Sequence, residues 1–190
     1  MKPSKEKKNI RLEYNGNGMM IGSDTLIYRL LFNLTENAIR YNRENASVII
    51  TVDEKNNQLY IRVKDNGYGI PEQYRESIFQ PFFRVDKSRS RAYGGVGLGL
   101  SLVWEIVLLH NGTVKAEKSD KNGTVMLVHF WIFFFYPSKN THIVKIRMRS
   151  PFQPYHKSND KENNRDNSHY HNFPEAYIIS SQCQIGNLQV

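Results

Sequence analysis

The sequence predicts a two-layer α/β sandwich, in which two helices cover one face of a sheet, followed by an irregular C-terminal tail. Two segments carry apolar residues at helical spacing, and four short runs alternate apolar and polar residues as strands do. From Pro137 onward the chain is rich in Asn, Ser, His, Lys and Tyr with little periodicity, which is typical of disorder. We therefore expect a basic head at 1–9, one folded domain at 10–130 and a disordered tail at 131–190.

The first predicted helix has both a start signal and a core face. Ser23 or Asp24 is a favourable N-cap, and apolar residues then follow the i, i+3, i+4, i+7, i+11 spacing from Ile27 to Ala38. The later elements are a β-hairpin at 47–53 and 58–65, a second helix from near Gly97 to Asn111-Gly112, and strands at 113–118 and 124–130.

Composition limits the classes of partner. The chain has 190 residues and a formal net charge of +8, which favours anionic partners such as nucleotides, nucleic acid or acidic membranes. A single cysteine, Cys183, excludes an internal disulfide. No stretch approaches the roughly 18 apolar residues of a membrane span, so we expect a cytoplasmic protein without one.

The first helix also carries a polar ridge opposite its apolar face, formed by Arg29, Asn33, Glu36, Asn37 and Arg40. Such a ridge is most often a solvated helix face. The amides of Asn33 and Asn37 lie one turn apart, however, and amide oxygens can ligate a hard cation such as Mg²⁺. Arg40, close by on the same ridge, has a side chain that can pair with phosphate.

The end of the second predicted strand places a carboxylate among apolar side chains. Alternation puts Asp65 on the buried face, where an unpaired carboxylate is unfavourable. Gly67 and Gly69 follow and permit a tight turn or close approach to a flat ligand. An ordinary Asp-Gly turn and a polar anchor for a base ring are equally good interpretations of these residues.

A glycine-rich segment at 94–100 opens into the second helix, whose N-terminal amides could bind phosphate. It lacks the Gly-Lys-Ser/Thr ending of a Walker loop and does not follow a strand as a dinucleotide loop would. A basic run precedes it, which is either a mobile lid over a triphosphate or a disordered surface loop. The run comprises Arg84, Lys87, Arg89 and Arg91.

Four motifs together resemble the catalytic domain of sensor histidine kinases. NLTENAIRY at 33–41 resembles their N box, and DNGYGIP at 65–71 their first glycine box. IFQPFFRVD at 78–86 is similar to the F box, and GVGLGL at 95–100 to the second glycine box. The resemblance implies the Bergerat fold of the superfamily shared with gyrase and MutL, which is a helix layer on a mixed sheet.

At the phosphate end, the resemblance implies ATP and Mg²⁺ as ligands. Asn37 would ligate Mg²⁺, with Asn33 beside the metal and its water, while Arg40 and Arg84 would contact phosphates. Gyrase-like relatives have a water-activating Glu where Asn33 stands, so the family pattern favours phosphoryl transfer over fast hydrolysis. The residues expected to close over the triphosphate are Gly95, Gly97, Leu98 and Gly99.

At the base end, the resemblance gives Tyr41 a stacking role on adenine and makes Asp65 the acceptor for its amino group. Gly67 and Gly69 would make room for the base.

The expected activity is transfer of the γ-phosphoryl of Mg·ATP to a histidine on a separate dimerisation and phosphoacceptor domain, and indirectly to a response regulator. None of the six histidines matches an acceptor motif, because all follow the N box and none precedes Glu or Asp. We therefore also weigh a fragment or altered frame of a larger kinase, a non-catalytic ATP-binding remnant, and a stand-alone anti-sigma-type serine kinase. A nucleic-acid-binding protein ranks last.

Overall fold

The computed structural model describes residues 10–85, 96–132, 142–148, 154–155 and 176–182. The helices are α1 (Asp24–Arg40) and α2 (Gly99–Leu109), with two short 3₁₀ turns at Glu72–Tyr74 and Ser77–Phe79. The strands are β1 (Ile10–Ile21), β2 (Ala46–Lys55), β3 (Gln58–Asp65), β4 (Gly112–Asp120), β5 (Gly123–Trp131), β6 (His142–Met148), β7 (Pro154–Tyr155) and β8 (Ala176–Gln182).

The described strands form one mixed sheet. Its order is β4-β5-β3-β2-β1-β6-β8, and β7 pairs with the start of β1. β1 and β2 run parallel, whereas the other paired strands are antiparallel. The predicted α/β sandwich on a mixed sheet is confirmed, including both hairpins.

Strand β1 was not predicted from the sequence, because its centre is poor in strand-forming residues. Gly16 and Gly18 stand there because other parts of the sheet approach closely. A Cβ on Gly16 would lie 1.9 Å from the carbonyl oxygen of Val52, and one on Gly18 would lie 2.1 Å from Cδ1 of Leu59. Gly16 also has a φ of +88°, which glycine adopts without strain.

The tail contains strands where the sequence predicts irregular structure. β6 pairs antiparallel with residues 17–21 of β1, and β8 pairs with β6. Val144, Ile146 and Met148 are buried at alternate positions, which is a period-2 signal too short to stand out among polar neighbours. β6 thereby covers part of an otherwise unpaired strand edge. The domain boundary at residue 130 stays a prediction.

Helix α1 begins where the sequence predicts. The N-cap Ser23 accepts a hydrogen bond through its hydroxyl from the backbone N–H of Leu26, at 3.4 Å. Its apolar face packs on the sheet and against α2. Neither described helix has both the length and the apolar character needed to cross a bilayer. The buried residues of α1 are Ile27, Leu30, Leu31, Leu34, Thr35 and Ala38.

His110 joins the two helices. Its Nδ1 donates to the carbonyl oxygen of Ile106 at 2.7 Å, and its Nε2 accepts from the backbone N–H of Ser23 at 3.1 Å. A carbonyl can only accept and an N–H can only donate, so these contacts define a neutral imidazole with its proton on Nδ1. The end of α2 is therefore fixed against the start of α1.

Candidate nucleotide-binding site

A pocket of about 180 Å³ opens between the helix layer and the sheet. The C-terminal half of α1, the end of β3 and the start of α2 meet there. Its walls are mostly apolar, with a few polar groups, which is the usual character of a small-molecule site. The lining residues are Leu34, Asn37, Ala38, Tyr41, Asp65, Tyr68, Gly69, Ile70, Ile78, Phe83, Arg84, Val85, Leu100, Thr124 and Met126.

Asp65 supplies the carboxylate of this pocket. Its Oδ1 accepts from the backbone N–H of Gly67 at 2.8 Å and from that of Thr124 at 3.2 Å. Burial raises the pKa of Asp65 above its ordinary value, and the two backbone N–H groups oppose that rise. Among the described residues both bonds end on Oδ1, so Oδ2 can accept from a ligand.

The two glycines after Asp65 are required by the protein backbone itself. A Cβ on Gly67 would lie 2.6 Å from the carbonyl oxygen of Tyr41, and one on Gly69 would lie 2.0 Å from that of Asp120. Gly69 also has a φ of +75°. Gly69 lines the pocket and Gly67 lies behind it, so their role in admitting a base stays a prediction.

At the end of α1, Tyr41 and Arg40 differ in their surroundings. Tyr41 is the C-cap residue, lines the pocket and is 40% exposed. The guanidinium of Arg40 instead pairs with the carboxylate of Glu36, one turn earlier, at 2.5 Å. Arg40 is absent from the pocket lining, so its predicted contact with a terminal phosphate would require this pair to rearrange.

The two α1 amides face the start of α2. A Cβ built on Gly99 would lie 3.0 Å from Oδ1 of Asn33 and 3.5 Å from Nδ2 of Asn37. Nδ2 of Asn33 donates to the carbonyl oxygen of Arg29 at 2.7 Å, which turns its Oδ1 towards α2. Asn33 and Asn37 of α1 therefore meet Gly99 of α2, and Asn37 also lines the pocket.

The N-terminus of α2 offers backbone donors at the same place. The N-cap Leu98 makes no side-chain capping bond, and the first turn carries no acidic residue. The first amides of a helix lack partners within it and carry positive partial charge, which attracts phosphate. Gly97 has a φ of +85° and accepts from the N–H of Phe82 at 2.9 Å, joining the F-box segment to this turn.

Arg84 presents a donor without a partner. Its Nε is buried and makes no hydrogen bond within the part of the chain that the structure describes. A buried donor in this state is unfavourable unless a ligand satisfies it. Because Arg84 also lines the pocket, an anionic ligand is the natural acceptor. Gly95 and the lid residues Lys87, Arg89 and Arg91 lie outside the described residues.

Three residues of this site escape prediction from sequence. Thr124 and Tyr68 line the pocket, and the hydroxyl of Ser119 accepts from the N–H of Ile70 at 2.6 Å. Ser119 also bonds Thr124 between their hydroxyls at 2.9 Å. The β4–β5 turn therefore supports the glycine segment. Serine and threonine in a hairpin give no sequence signal of a role in the site. The aromatic Tyr68 between two glycines is unusual and could have given one.

Within the described residues, no group of three or more His, Cys, Asp or Glu side chains could hold a metal ion. The amide oxygens of Asn33 and Asn37 are still suitable for Mg²⁺, which keeps several waters and takes part of its shell from substrate phosphates. The donor set therefore fits a cation that arrives with a nucleotide, rather than one held by the protein alone.

Comparison with known proteins identifies the family that this chain resembles. Residues 22–134 match the family described as histidine kinase-, DNA gyrase B-, and HSP90-like ATPase. A relative is the signal transduction histidine-protein kinase ArlS of Staphylococcus aureus strain USA300, 42% identical over 95 residues, which are 50% of this chain and 21% of ArlS. The chain thus spans about a fifth of the length of the curated relatives it matches.

Solved structures give the same result. The catalytic domain of histidine kinase ThkA is 30% identical with a TM-score of 0.56, over 65% of this chain and 80% of that one. The mycobacterial sensor histidine kinase MprB is 25% identical with a TM-score of 0.56, over 64% and 81% respectively. The family match covers more than half of the chain, and the chain therefore belongs to the histidine kinase-, DNA gyrase B-, and HSP90-like ATPase family, with histidine kinase catalytic domains as its relatives.

Proposed function

We propose that this chain binds Mg·ATP and transfers its γ-phosphoryl group to a histidine on a separate dimerisation and phosphoacceptor domain. One observation carries the proposal: Asn37, Asp65 and Arg84, whose Nε has no partner among the described residues, line one pocket, and the uncapped start of α2 meets Asn33 and Asn37 beside it. A ligand with a polyanion at one end and an aromatic amine at the other matches this arrangement.

At the base end, Oδ2 of Asp65 accepts a hydrogen bond from the adenine amino group, and Tyr41 stacks on the ring. The carboxylate is held in place by the N–H groups of Gly67 and Thr124, so it needs little rearrangement on binding. A site built to bond one amino group discriminates strongly against bases that lack it.

At the phosphate end, the chain positions the triphosphate and neutralises its charge. The first amides of α2 and the guanidinium of Arg84 donate to phosphate oxygens, while Asn37 holds Mg²⁺ through its amide oxygen, with Asn33 beside it. When bound, Mg²⁺ supplies additional neutralisation of the phosphate charge. Phosphoryl transfer needs little else from the protein, since positioning and electrostatics provide most of the catalysis.

In this proposal the acceptor histidine comes from another domain. Both ring nitrogens of His110 are engaged within the fold. His129 lies on the face of the sheet opposite the helices, because it is adjacent in β5 to the inward-facing Phe130 and Val128. Neither described histidine of the domain core is therefore placed to receive a phosphoryl group from the pocket.

A direct test mixes the full chain with a purified dimerisation and phosphoacceptor domain of a sensor histidine kinase and γ-labelled ATP. We expect acid-labile, base-stable label on the acceptor, and none with Asn37→Ala or with an acceptor lacking its histidine. Acid-stable label on a serine-containing partner would favour an anti-sigma-type serine kinase instead.

A second candidate function is ATP binding without transfer. The pairing of Arg40 with Glu36 favours it, because it directs a cation away from the pocket where a terminal phosphate would lie. In the same assay this candidate predicts bound nucleotide and no label on any acceptor. Transfer by Glu36→Gln but not by the wild type would show that the ion pair between Arg40 and Glu36 restrains the activity.

A further inference from the structure

Two tyrosines form part of the wall of the pocket. Tyr41 and Tyr68 both line it, and their side chains remain 40% and 50% exposed. The backbone N–H of Tyr68 donates to the carbonyl oxygen of Tyr41 at 3.4 Å, which joins the end of α1 to the glycine segment after β3. Asp65 lines the same pocket, and a Cβ built on Gly67 would lie 2.6 Å from the carbonyl oxygen of Tyr41 and 2.9 Å from Oδ1 of Asp65.

Arg43 contacts the ring of Tyr68. Its Cζ lies 5.7 Å from the ring centroid, within the range of a cation–π interaction. Nη2 of Arg43 also donates to the carbonyl oxygen of Lys121 at 2.5 Å, in the β4–β5 turn. The guanidinium is thus bonded to the β4–β5 turn while it packs on the tyrosine.

The backbone of Arg43 is fixed as well. Its N–H donates to Oδ1 of Asn42 at 2.9 Å, and Nδ2 of Asn42 donates to the carbonyl oxygen of Ser47 at 3.3 Å. Asn42 is fully buried. Arg43 is therefore hydrogen-bonded at its backbone and at the end of its side chain, and its guanidinium contacts the Tyr68 ring.

We propose that Tyr68 is a second aromatic wall of the base site, stacking on the adenine ring together with Tyr41, and that Arg43 is the positioning residue that holds it. The inference rests on the proposed ATP-binding function and adds a base contact to it. An aromatic ring fixed beforehand contributes its stacking energy with little loss of conformational freedom on binding. The remaining exposure of Tyr68 is the area that the base covers.

The test measures ATP affinity by calorimetry on the full chain and three Tyr68 variants. Removing one base–aromatic stack weakens binding by about 1–3 kcal/mol, or roughly 5- to 150-fold. We expect Tyr68→Ala to fall within that range and Tyr68→Phe to stay within about twofold of the wild type, because it keeps the ring. Tyr68→Leu keeps apolar bulk without a π-system, and we expect it to resemble Tyr68→Ala.

The positioning role of Arg43 is tested by a measurement that a purely structural role would not change. We expect Arg43→Ala to weaken ATP binding about three- to tenfold in the wild-type background, a range below that of full ring loss. In the Tyr68→Ala background the same substitution should have no further effect, because the positioning residue then has nothing to position. Arg43→Lys keeps a cation near the ring and should recover part of the affinity.

The outcomes separate this inference from the proposed function. A folded wild type that does not bind ATP contradicts the proposed function. A wild type that binds ATP, with Tyr68→Ala equally tight or Tyr68→Phe as weak as Tyr68→Ala, overturns only the second aromatic wall. Equal losses from Arg43→Ala in both backgrounds would overturn the positioning role. Thermal unfolding of each unliganded variant identifies any loss that comes from folding.

Discussion

Substitution of Asp65 separates its role in the fold from its role in the pocket. In Asp65→Asn the amide oxygen can take the place of Oδ1 and keep the bonds from Gly67 and Thr124. The amide nitrogen then stands where Oδ2 stood and presents donors to the adenine amino group, which is itself a donor. The fold should therefore be retained while base recognition is lost.

The magnitudes follow from these contacts. A hydrogen bond to a charged group contributes about 1.5–3 kcal/mol, so Asp65→Asn should weaken ATP binding by roughly 10- to 150-fold. Asp65→Ala also leaves two backbone N–H groups without an acceptor, and this should lower the free energy of unfolding by about 2 kcal/mol. For a domain of this size that is a decrease in Tm of about 6–10 °C.

The assay pairs calorimetric ATP titration with thermal unfolding for both variants. Asp53→Asn is the matched control, because it removes an equal charge from an exposed position on β2. We expect the control to bind ATP as the wild type does. Wild-type affinity in a folded Asp65→Asn variant would refute the assigned role of the carboxylate.

Three further predictions concern pH, phosphate contact and backbone geometry. Burial raises the pKa of Asp65, so the folded state keeps this proton to a higher pH than the unfolded state does. The contribution of Asp65 to the free energy of unfolding therefore falls as pH rises above about 4. Denaturant unfolding between pH 4 and 7 should show Asp65→Asn gaining stability relative to the wild type as pH rises, and parallel curves would contradict this. Arg84→Gln should weaken binding of ATP about tenfold, because a charge-assisted hydrogen bond to phosphate is lost. The affinity for adenosine should stay the same in a competition assay. Equal losses of affinity for ATP and adenosine would contradict the contact between Arg84 and phosphate. Gly69→Ala should lower the free energy of unfolding by about 3 kcal/mol or more in chemical denaturation. The reason is that its Cβ would lie 2.0 Å from the carbonyl oxygen of Asp120 and that φ is +75°. A decrease of less than about 1 kcal/mol would show that the turn can relax.

Periodicity alone predicts much of this fold. The apolar stripe from Ile27 to Ala38 fixes α1 and its buried face, and the alternation in β2 and β3 fixes their hairpin. β1 could not be predicted, because Gly16 and Gly18 are required by close contacts with Val52 and Leu59 that exist only in the folded sheet. The strands of the tail could not be predicted either, because a short alternating run forms a strand only where a strand edge is available to pair with it.

The candidate site, like the fold, could be predicted only in part from the sequence. The motifs lead to Asp65, Asn37 and Tyr41, which the structure brings together around one pocket. Sequence cannot reveal that Arg40 pairs with Glu36, since both ridge positions are also compatible with solvent or phosphate. It likewise cannot reveal the contact of Arg43 with Tyr68, because that contact joins separate segments of the chain.

The most direct test of the central claim is calorimetric titration of ATP into the full chain, with Mg²⁺ and with EDTA, for the wild type and Asn37→Ala. We expect the wild type to bind Mg·ATP more tightly than ATP in EDTA, and Asn37→Ala to lose that difference while keeping the weaker metal-free binding. A folded wild type that binds neither form, or an Asn37→Ala variant that retains the full effect of Mg²⁺, would contradict the account.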